Sequence, residues 1–388
     1  MSIWLLLKLL FLFVYIALSV LITYLVYTEE IQYYKPLYVT KKPEKEGEIE
    51  EKVNLHEVFE EFRKKDKPVN IFTLFIGALI FGVIRFLISI ICCAIISYKV
   101  NKRIKEKNGK LTKEDIDYIR NTTKFFTSIF LKISGIIINK KRLPDEKILP
   151  IYKRYFGPDY NIDYDAKFCC YISNHTCIYD LLFAMAFYGC GFVAKDEIRE
   201  TPIFGKMASS LQTIFVDRNN TGSKNNTLDQ IVERQQNFIE GKPVMPFMIY
   251  PEGTTTSARH LLKFKKGAFS TLLPVNATIL HPNLSADYHL SCGSSDVGMN
   301  FLRSLSKLYV KTEYIELPII VPNEYMYNNF AHFGKEKWEI LAEVSREIMC
   351  EIGNFKKTNM GIRDNFRYTS CIEKKTLLDR KTYKIPIK

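Results

Sequence analysis

The chain has 388 residues, of which 47% are hydrophobic, and its 55 Lys and Arg against 42 Asp and Glu give a formal net charge of +13. A chain of this length and hydrophobicity can hold two or three domains with a real core, which excludes a disordered protein. The charge indicates an anionic partner, and the three candidates are nucleic acid, lipid headgroups and a polyphosphate substrate. The nine Cys form no C-x-x-C pair and the six His show no zinc-type spacing, so we expect buried thiols in a reducing compartment and no metal.

The first apolar run covers residues 3–27, in which Lys8 is the one charged residue. It is long enough to cross a bilayer. A cleaved signal peptide is the alternative, but there is neither a basic region before the run nor a small-residue cleavage site after it, which favours an uncleaved anchor. Residues 28–68 are polar with charges of both signs, and they predict a linker with a short helix near residues 55–62.

A second apolar run covers residues 69–98 and is interrupted only by Arg85. It predicts either one tilted membrane span or two short helices in a re-entrant hairpin. A charge near the middle of the run favours the hairpin or a partner for Arg85. The basic cluster at residues 99–107 places the following domain on the cytosolic side of the membrane by the positive-inside rule.

The central part of the chain alternates short apolar strands with helical stretches, which predicts an α/β fold with a sheet flanked by helices. Before it, residues 122–140 are amphipathic and predict a helix in the membrane interface or in the core. The predicted strands cover residues 167–173, 191–194, 213–216, 246–250 and 273–280.

The remaining segments predict an exposed loop at residues 219–226, rich in Asn, Gly and Ser, and a closing amphipathic helix at residues 335–353. The tail from residue 354 holds ten basic and three acidic residues, which indicates contact with an anionic surface or disorder. We therefore divide the chain into membrane helices with a charged linker (1–112), an α/β domain (113–330), and a C-terminal helix with a basic tail (331–388).

The stretch S-N-H-T-C-I-Y-D at residues 173–180 follows an apolar strand and precedes a helix. His175 therefore lies at a predicted strand end, with Asp180 about one helical turn beyond. An imidazole can take up a proton near neutral pH, and a carboxylate bonded to its Nδ1–H fixes the tautomer and stabilises the charged ring. The pair predicts a general base.

Four further stretches follow His175 in order. Arg218 ends an apolar strand and suits phosphate binding. The turn P-E-G-T-T-T at residues 251–256 brings together the carboxylate of Glu252, the flexible backbone of Gly253 and several hydroxyls. Three lysines before a Gly and an aromatic residue suit a polyphosphate, and Pro274 opens the last predicted strand; the lysines are Lys263, Lys265 and Lys266.

Together these stretches make the chain resemble the glycerophospholipid acyltransferase family. The motif N-H-x-x-x-x-D, the strand ending in Arg, the P-E-G-T turn and the apolar stretch with Pro are matched, in that order, by residues 174–180, 215–218, 251–254 and 274. The resemblance covers roughly residues 165–325 and is strongest to the branch that acylates lysophosphatidylcholine and lysophosphatidylethanolamine. It implies a mixed sheet flanked by helices, N-terminal membrane helices, and an endoplasmic reticulum or related membrane.

The resemblance implies transfer of an acyl chain from acyl-CoA, as co-substrate, to a lysophospholipid hydroxyl, with His175 as base and Asp180 orienting it. Arg218, Glu252, Gly253 and Thr254 would form the glycerol-phosphate site. Lys263, Lys265 and Lys266 would meet the phosphates of CoA, and no cofactor or metal is required. Cys177 lies inside the first motif but lacks a base of its own.

The choice of acceptor depends on a departure from the family pattern. Many members that acylate phosphate monoesters carry Arg and Ser where this chain has Thr255 and Thr256. A monoester carries nearly two charges and a diester one, so the missing cation favours a choline- or ethanolamine-type lysophospholipid. The alternatives are a lysophosphatidic acid or glycerol-3-phosphate acyltransferase, a hydrolase, and a non-catalytic lysolipid-binding protein. No nucleic-acid-binding module is visible, so nucleic acid is not an expected partner.

Overall fold

The computed structural model describes residues 3–28, 38–43, 50–59, 71–216, 221–282, 297–374 and 383–384. Within these residues the helices are α1 (Ile3–Thr28), α2 (Leu55–Phe59), α3 (Ile71–Glu106), α4 (Lys113–Ile133), α5 (Asp145–Phe156), α6 (Tyr179–Tyr188), α7 (Phe204–Ser210), α8 (Thr221–Ile239), α9 (Val297–Leu305), α10 (Glu324–Asn329), α11 (Lys337–Gly353) and α12 (Ile362–Lys374). The strands are β1 (Tyr38–Lys41), β2 (Glu51–Asn54), β3 (Ile136–Arg142), β4 (Cys170–Ser173), β5 (Gly191–Lys195), β6 (Ile214–Val216), β7 (Phe247–Ile249), β8 (His260–Leu261), β9 (Val275–Pro282), β10 (Val310–Ile320), β11 (Lys356–Lys357) and β12 (Tyr383–Lys384).

Seven strands form one mixed sheet in the order β3-β10-β9-β4-β7-β5-β6. β4 lies at its centre, parallel to β9 on one side and to β7 on the other, while β10 runs antiparallel to β9. All five strands predicted from the sequence are part of this sheet, and β3 and β10 extend it beyond them. The α/β fold with a mixed sheet is therefore confirmed.

Helices cover both faces of the sheet. In β4 the side chain of Tyr171 packs into a cluster with residues of α3, α4 and α6. Cys170 and Ile172 point the opposite way and pack into a second cluster with α5 and α11. The closing helix predicted at residues 335–353 is confirmed by α11, which packs into the core of the sheet domain. The division of the chain at residues 112 and 330 stays a prediction.

The second apolar run is one continuous helix, α3, with a π-helical turn at Ala78–Gly82. The hairpin alternative is therefore wrong. Both α1 and α3 are long and apolar enough to cross a membrane. They pack on each other through Ile22, Val26 and Leu74, and the second half of α3 packs on α4.

Arg85 of α3 is buried, and its partners are backbone carbonyls. The guanidinium donates to Ile133 (2.9 Å) at the end of α4 and to Leu305 (3.1 Å) at the end of α9. It also donates to the carbonyls of Lys307 and, at 3.0 Å, Leu308. The last carbonyls of a helix have no intrahelical donors and carry partial negative charge, so one cation satisfies the ends of two helices.

Replacing Arg85 by leucine is expected to lower the free energy of unfolding by about 2–5 kcal/mol, because buried carbonyl groups lose a charged donor. The measurement is thermal unfolding in detergent. Lys102→Ala is the control on the same helix, since the Lys102 side chain is 59% exposed and should unfold as the wild type does. An unchanged midpoint for Arg85→Leu would contradict this account of the helix junction.

The single helix predicted at residues 122–140 is wrong. α4 ends at Ile133, and Gly135 turns the chain with φ of +71°. A Cβ on Gly135 would lie 2.5 Å from the carbonyl oxygen of Leu308, so glycine is needed both for the turn and for this close approach. The residues that follow form β3, which pairs with β10.

Two further local predictions were wrong. The loop predicted at residues 219–226 is, from Thr221, the start of α8, because Asn, Ser and Thr also favour the first turn of a helix and the buried Ile231 and Gln235 hold its body. For the tail from residue 354 the disorder alternative is wrong in the described part, which forms β11 and α12 because Tyr368 and Met360 are buried against the N-terminal segment. Contact of the tail with an anionic surface stays a prediction. The short helix predicted at residues 55–62 is α2, and residues 60–62 lie outside the described residues.

Candidate active site

The central strand β4 ends at Ser173, and Asn174 and His175 follow directly. Asn174 is buried, its Nδ2 donates to the Leu280 carbonyl (2.9 Å), and its Oδ1 accepts from the Leu280 N–H (2.8 Å). These two bonds continue the backbone pairing between β4 and β9 by one further residue. His175 is thereby held at the carboxyl end of the central strand, where ligands bind in α/β folds.

His175 and Asp180 form a hydrogen-bonded pair. The Asp180 carboxylate, in the first turn of α6, accepts from Nδ1 of His175 at 2.8 Å. The same carboxylate accepts the backbone N–H groups of Thr176 (2.5 Å) and Cys177 (3.0 Å), which precede the helix. Asp180 is buried, and these bonds hold its carboxylate in one orientation. Because a carboxylate only accepts, Nδ1 carries the hydrogen and Nε2 keeps a lone pair for a proton.

Tyr250 fixes the plane of the imidazole. Its ring stacks on that of His175 with 4.2 Å between centroids and 20° between planes. Burial raises the pKa of Tyr250 well above its usual value, so the phenol stays neutral. Tyr250 was not among the predicted site residues, although a Tyr directly before the P-E-G turn at the end of an apolar strand is a visible signal.

The P-E-G-T-T-T loop holds the backbone of His175 from both sides. Glu252 accepts the His175 N–H through Oε1 (3.0 Å) and the Leu262 N–H through Oε2 (3.0 Å). The Thr256 N–H donates to the His175 carbonyl at 2.9 Å. Glu252 is fully buried and is not among the side chains that line the cavity. Its predicted place in the substrate site is therefore corrected: it is a positioning residue behind His175.

Burial raises the pKa of Glu252 to about 8, while the amides of Leu262 and His175 and the charge of Arg346 limit the rise. A folded-state pKa above the unfolded value of 4.5 adds stability below about pH 4.5 that is lost as pH rises through about 8. Between these values the wild type is expected to lose stability relative to Glu252→Gln, by roughly 1 kcal/mol per pH unit at most.

The measurement is thermal unfolding of both proteins from about pH 5 to about pH 8. Glu240→Gln is the control, because the Glu240 side chain is 57% exposed and its removal should leave the pH profile of the wild type unchanged. If the wild type instead gains stability relative to Glu252→Gln as the pH rises, the raised pKa of Glu252 is contradicted. The carboxylate would then be ionised and stabilised by the N–H groups of His175 and Leu262.

Gly253 and Thr254 line the cavity in front of His175. Gly253 has φ of +75°, and the Lys265 ammonium lies 2.6 Å from where a Cβ would stand, so the side chain of Lys265 runs across the glycine. The Thr254 hydroxyl donates to Oδ1 of Asn365, at 3.3 Å, on the C-terminal helix α12. The turn therefore has one face toward the cavity and another toward the end of the chain.

The three predicted lysines are separated by the structure. Lys265 and Lys266 line the cavity, and Lys266 also lies 3.5 Å from the carboxylate of Glu336. Lys263 does not line it; its backbone N–H bonds the Met360 carbonyl. Arg218 lies outside the described residues, two positions beyond the end of β6.

The cavity measures about 1220 Å³, and His175 is part of its wall. Its apolar lining comes from α3, α4, α6 and α7, and includes Phe86, Ile90, Ile96, Phe130, Leu182 and Met207. Its charged lining includes Lys195, Glu197, Lys265, Lys266 and Arg363. A cavity with an imidazole in its wall, many apolar lining residues and mainly cationic charged ones suits a substrate with a long hydrocarbon tail and a phosphate.

Within the described part of the chain, no three His, Cys, Asp or Glu side chains are grouped as metal ligands would be. Cys177 is buried and its thiol donates to Oδ1 of Asp180 at 3.2 Å, so it contributes to holding the carboxylate. α12 reaches the cavity through Ile362, Arg363 and Phe366, and no residue of this helix was among the predicted site residues. Helical periodicity in the tail was its only signal.

Comparison with known proteins agrees with this geometry. Residues 161–282 match the family model described as Acyltransferase. A "Lysophosphatidylcholine acyltransferase" of Drosophila melanogaster is 29% identical over 154 residues, 39% of this chain and 28% of that protein. The "Lysophospholipid acyltransferase LPEAT1" of Arabidopsis thaliana is 27% identical over 205 residues, 52% of this chain and 48% of that protein. This chain thus spans less than half the length of these two relatives.

A solved structure, the 1-acyl-sn-glycerophosphate acyltransferase PlsC from Thermotoga maritima, is similar with a TM-score of 0.45 and 16% identity, covering 70% of this chain and 94% of that one. The matched segment 161–282 contains the pair of His175 and Asp180 and the P-E-G-T-T-T loop around it. Residues 161–282 are thus similar to an acyltransferase domain, and the chain is similar over 39–52% of its length to proteins named as lysophospholipid acyltransferases.

Proposed function

We propose that this protein is a membrane-bound enzyme that transfers an acyl chain from acyl-CoA to the hydroxyl of a lysophospholipid. The observation that carries the proposal is the His175–Asp180 pair in the wall of a cavity whose lining is largely apolar and whose charged lining residues are mainly cations. A general base beside an apolar chamber suits acylation of a lipid alcohol, and the cationic rim suits phosphates of both substrates.

In the proposed reaction, Nε2 of His175 takes the proton of the glycerol hydroxyl while its oxygen attacks the thioester carbonyl carbon. Asp180 stabilises the imidazolium and keeps the ring in place. The tetrahedral intermediate then collapses, the C–S bond breaks, and the departing sulfur takes the proton from His175. The thioester is already activated, so neither a metal nor a covalent enzyme intermediate is required.

The phosphate-binding roles are part of the same proposal. Thr254 and the backbone of Gly253 face the cavity beside His175 and would contact the glycerol phosphate, together with Arg218. Lys265 and Lys266 would contact the phosphates of CoA, and Lys263, which lies off the cavity, is left out of this set. Glu252 acts through the His175 backbone.

A choline- or ethanolamine-type lysophospholipid is the favoured acceptor. The relatives above are named for lysophosphatidylcholine and for lysophospholipid. Thr255 lines the cavity and Thr256 is buried, so the loop places hydroxyls where many monoester-specific members place an arginine. A single phosphodiester charge needs fewer cations than a monoester does.

We place the protein in the membrane of the endoplasmic reticulum or a related compartment, with the acyltransferase domain facing the cytosol. α1 and α3 expose many apolar side chains, among them Phe11, Phe13 and Phe72, each more than 60% exposed. The basic cluster at residues 99–107 ends α3 on the side of the domain, which fits the positive-inside rule. Protease protection in sealed vesicles measures the orientation.

The deciding experiment is a panel of lysophospholipids incubated with one acyl-CoA and membranes containing the protein, read by mass spectrometry. Diacyl products from choline or ethanolamine lysolipids are expected. Much faster acylation of lysophosphatidic acid would overturn the acceptor class. Release of free fatty acid without acylated product would indicate a hydrolase, and lysolipid binding without turnover a silent binding protein.

A further inference from the structure

A segment that follows α1 (residues 38–43 and 50–59, here the N-terminal end) and a segment near the C-terminus (residues 356–374, here the C-terminal end) meet beside the active site. Together they form a small module, here called the terminal module. Its core packs side chains of both ends against the body of the domain; the members are Val39, Val53, Leu55, Val58, Phe59, Leu262, Met360 and Tyr368. The rings of Phe59 and Tyr368 stack with 5.5 Å between centroids. The described part of the module has a continuous apolar core and holds α12 in one position.

Buried polar contacts tie the two ends together. Lys41 and Asp364 form an ion pair at 2.7 Å with side chains only 3% and 2% exposed. The Tyr368 hydroxyl is hydrogen-bonded to Nδ1 of His56 at 2.5 Å. Separating such a buried pair would leave an uncompensated charge in the core, so these contacts fix α12 against the N-terminal segment.

The terminal module rests directly on the catalytic loop. The backbone N–H of Ser257 donates to the carbonyl of Val58 (3.1 Å), and the Ser257 hydroxyl donates to the carbonyl of Glu57 (2.5 Å). From the other end of the chain, Asn365 accepts the hydroxyl of Thr254 at 3.3 Å. One end of the module therefore contacts the P-E-G-T-T-T loop at Thr254, and the other contacts Ser257, the residue that directly follows the loop.

Arg363 is the one charged residue in the described part of this module that lines the cavity, where it lies beside Ile362 and Phe366. It is exposed and lines the cavity together with Phe366, whereas the intervening residues Asp364 and Asn365 are buried and bonded. Because the backbone that carries Arg363 is already anchored, binding has to order only the side chain and not the helix. Among the described residues that line the cavity, the cations outnumber the acids by four to one; they are Lys195, Lys265, Lys266 and Arg363, against Glu197.

We propose that Arg363 binds a phosphate group of a substrate at the rim of the cavity, so that the C-terminal helix is a working part of the active site. The inference deepens the proposed function and rests on it. A guanidinium matches a phosphate with two parallel hydrogen bonds, which an ammonium cannot do. Two substrates bring phosphate to this rim: the glycerophospholipid acceptor and CoA.

The test compares Arg363→Ala and Arg363→Lys with Arg367→Ala, which removes the same charge from the same helix at a residue that does not line the cavity. Loss of a charge-assisted contact to phosphate should raise the KM for one substrate by about 10- to 100-fold with little change in kcat. Arg363→Lys should recover part of the loss, and Arg367→Ala should match the wild type.

Substrate analogues identify the source of the phosphate. If CoA supplies it, the Arg363→Ala defect disappears with an S-acyl pantetheine donor, which has no phosphate. If the lysophospholipid supplies it, the defect disappears with monoacylglycerol as acceptor. Equal KM values for Arg363→Ala and Arg367→Ala with both natural substrates would overturn the inference.

Direct binding separates this inference from the proposed function. Calorimetric titration of the detergent-solubilised protein with CoA and with lysophosphatidylcholine needs no turnover. If the wild type binds but does not transfer acyl groups, the proposed function fails, while a Kd raised about 10-fold or more by Arg363→Ala still supports the phosphate contact. Unchanged Kd values for both ligands would overturn it.

Discussion

Replacing His175 by alanine is expected to lower the rate of acyl transfer by about 10²–10⁴-fold, because the variant loses the proposed general base. The hydrogen bonds of Asp180 to the backbone of Thr176 and Cys177 do not involve the His175 imidazole, so the start of α6 should stay intact in the variant. The measurement is kcat for diacyl product formation in membranes with matched amounts of protein.

His332→Ala is the matched control, because His332 is exposed and does not line the cavity. It should retain wild-type activity. Membrane association should be unchanged in both variants, because His175 and His332 lie outside the two apolar helices α1 and α3. Full activity of His175→Ala in a correctly folded sample would end the assignment of His175 as the base.

Asp180→Asn should reduce kcat almost as strongly, by about 10²–10⁴-fold, although it changes only one atom of the side chain. An amide can donate to Nδ1 of His175, and that would move the ring hydrogen to Nε2, the nitrogen that must accept the proton. The amide also lacks the charge that stabilises the imidazolium. With a single acceptor oxygen it loses part of its bonding to Thr176 and Cys177, at about 1–3 kcal/mol of stability.

Asp196→Asn serves as the control for loss of a carboxylate, since the Asp196 side chain is 51% exposed and pairs only with Arg199 among the described ion pairs. Circular dichroism and thermal unfolding of each variant report on the fold separately from activity. A folded Asp180→Asn protein with kcat within about twofold of the wild type would refute the orienting role.

The central strands could be read from the sequence because each is a short apolar run followed by turn residues, a local pattern that burial in a parallel sheet requires. The His175–Asp180 pair could be read for a related reason. A strand end and the next helix start lie within one turn of chain, so five residues of separation suffice to bring Nδ1 and the carboxylate to 2.8 Å.

Other features depended on partners that are distant in the chain. Arg85 was seen as a cost in an apolar helix, but the carbonyls that satisfy it come from the ends of α4 and α9. Glu252 was assigned to substrate because it sits in the family motif, yet its partners are the amides of His175 and Leu262. The edge strand β3 was missed because it forms only where β10 supplies its hydrogen bonds.

By itself, the sequence determined the α/β class, the two apolar helices, the pairing of His175 with Asp180, and the resemblance to acyltransferases, because each depends on local periodicity or on a motif of a few neighbouring residues. The tertiary structure alone decided which groups face the cavity: it placed Glu252 behind the site, took Lys263 off the cavity wall, and brought Arg363 from the far end of the chain to its rim. The physical reason is that burial, and the pairing of charges across more than a hundred residues, arise only when the chain has folded.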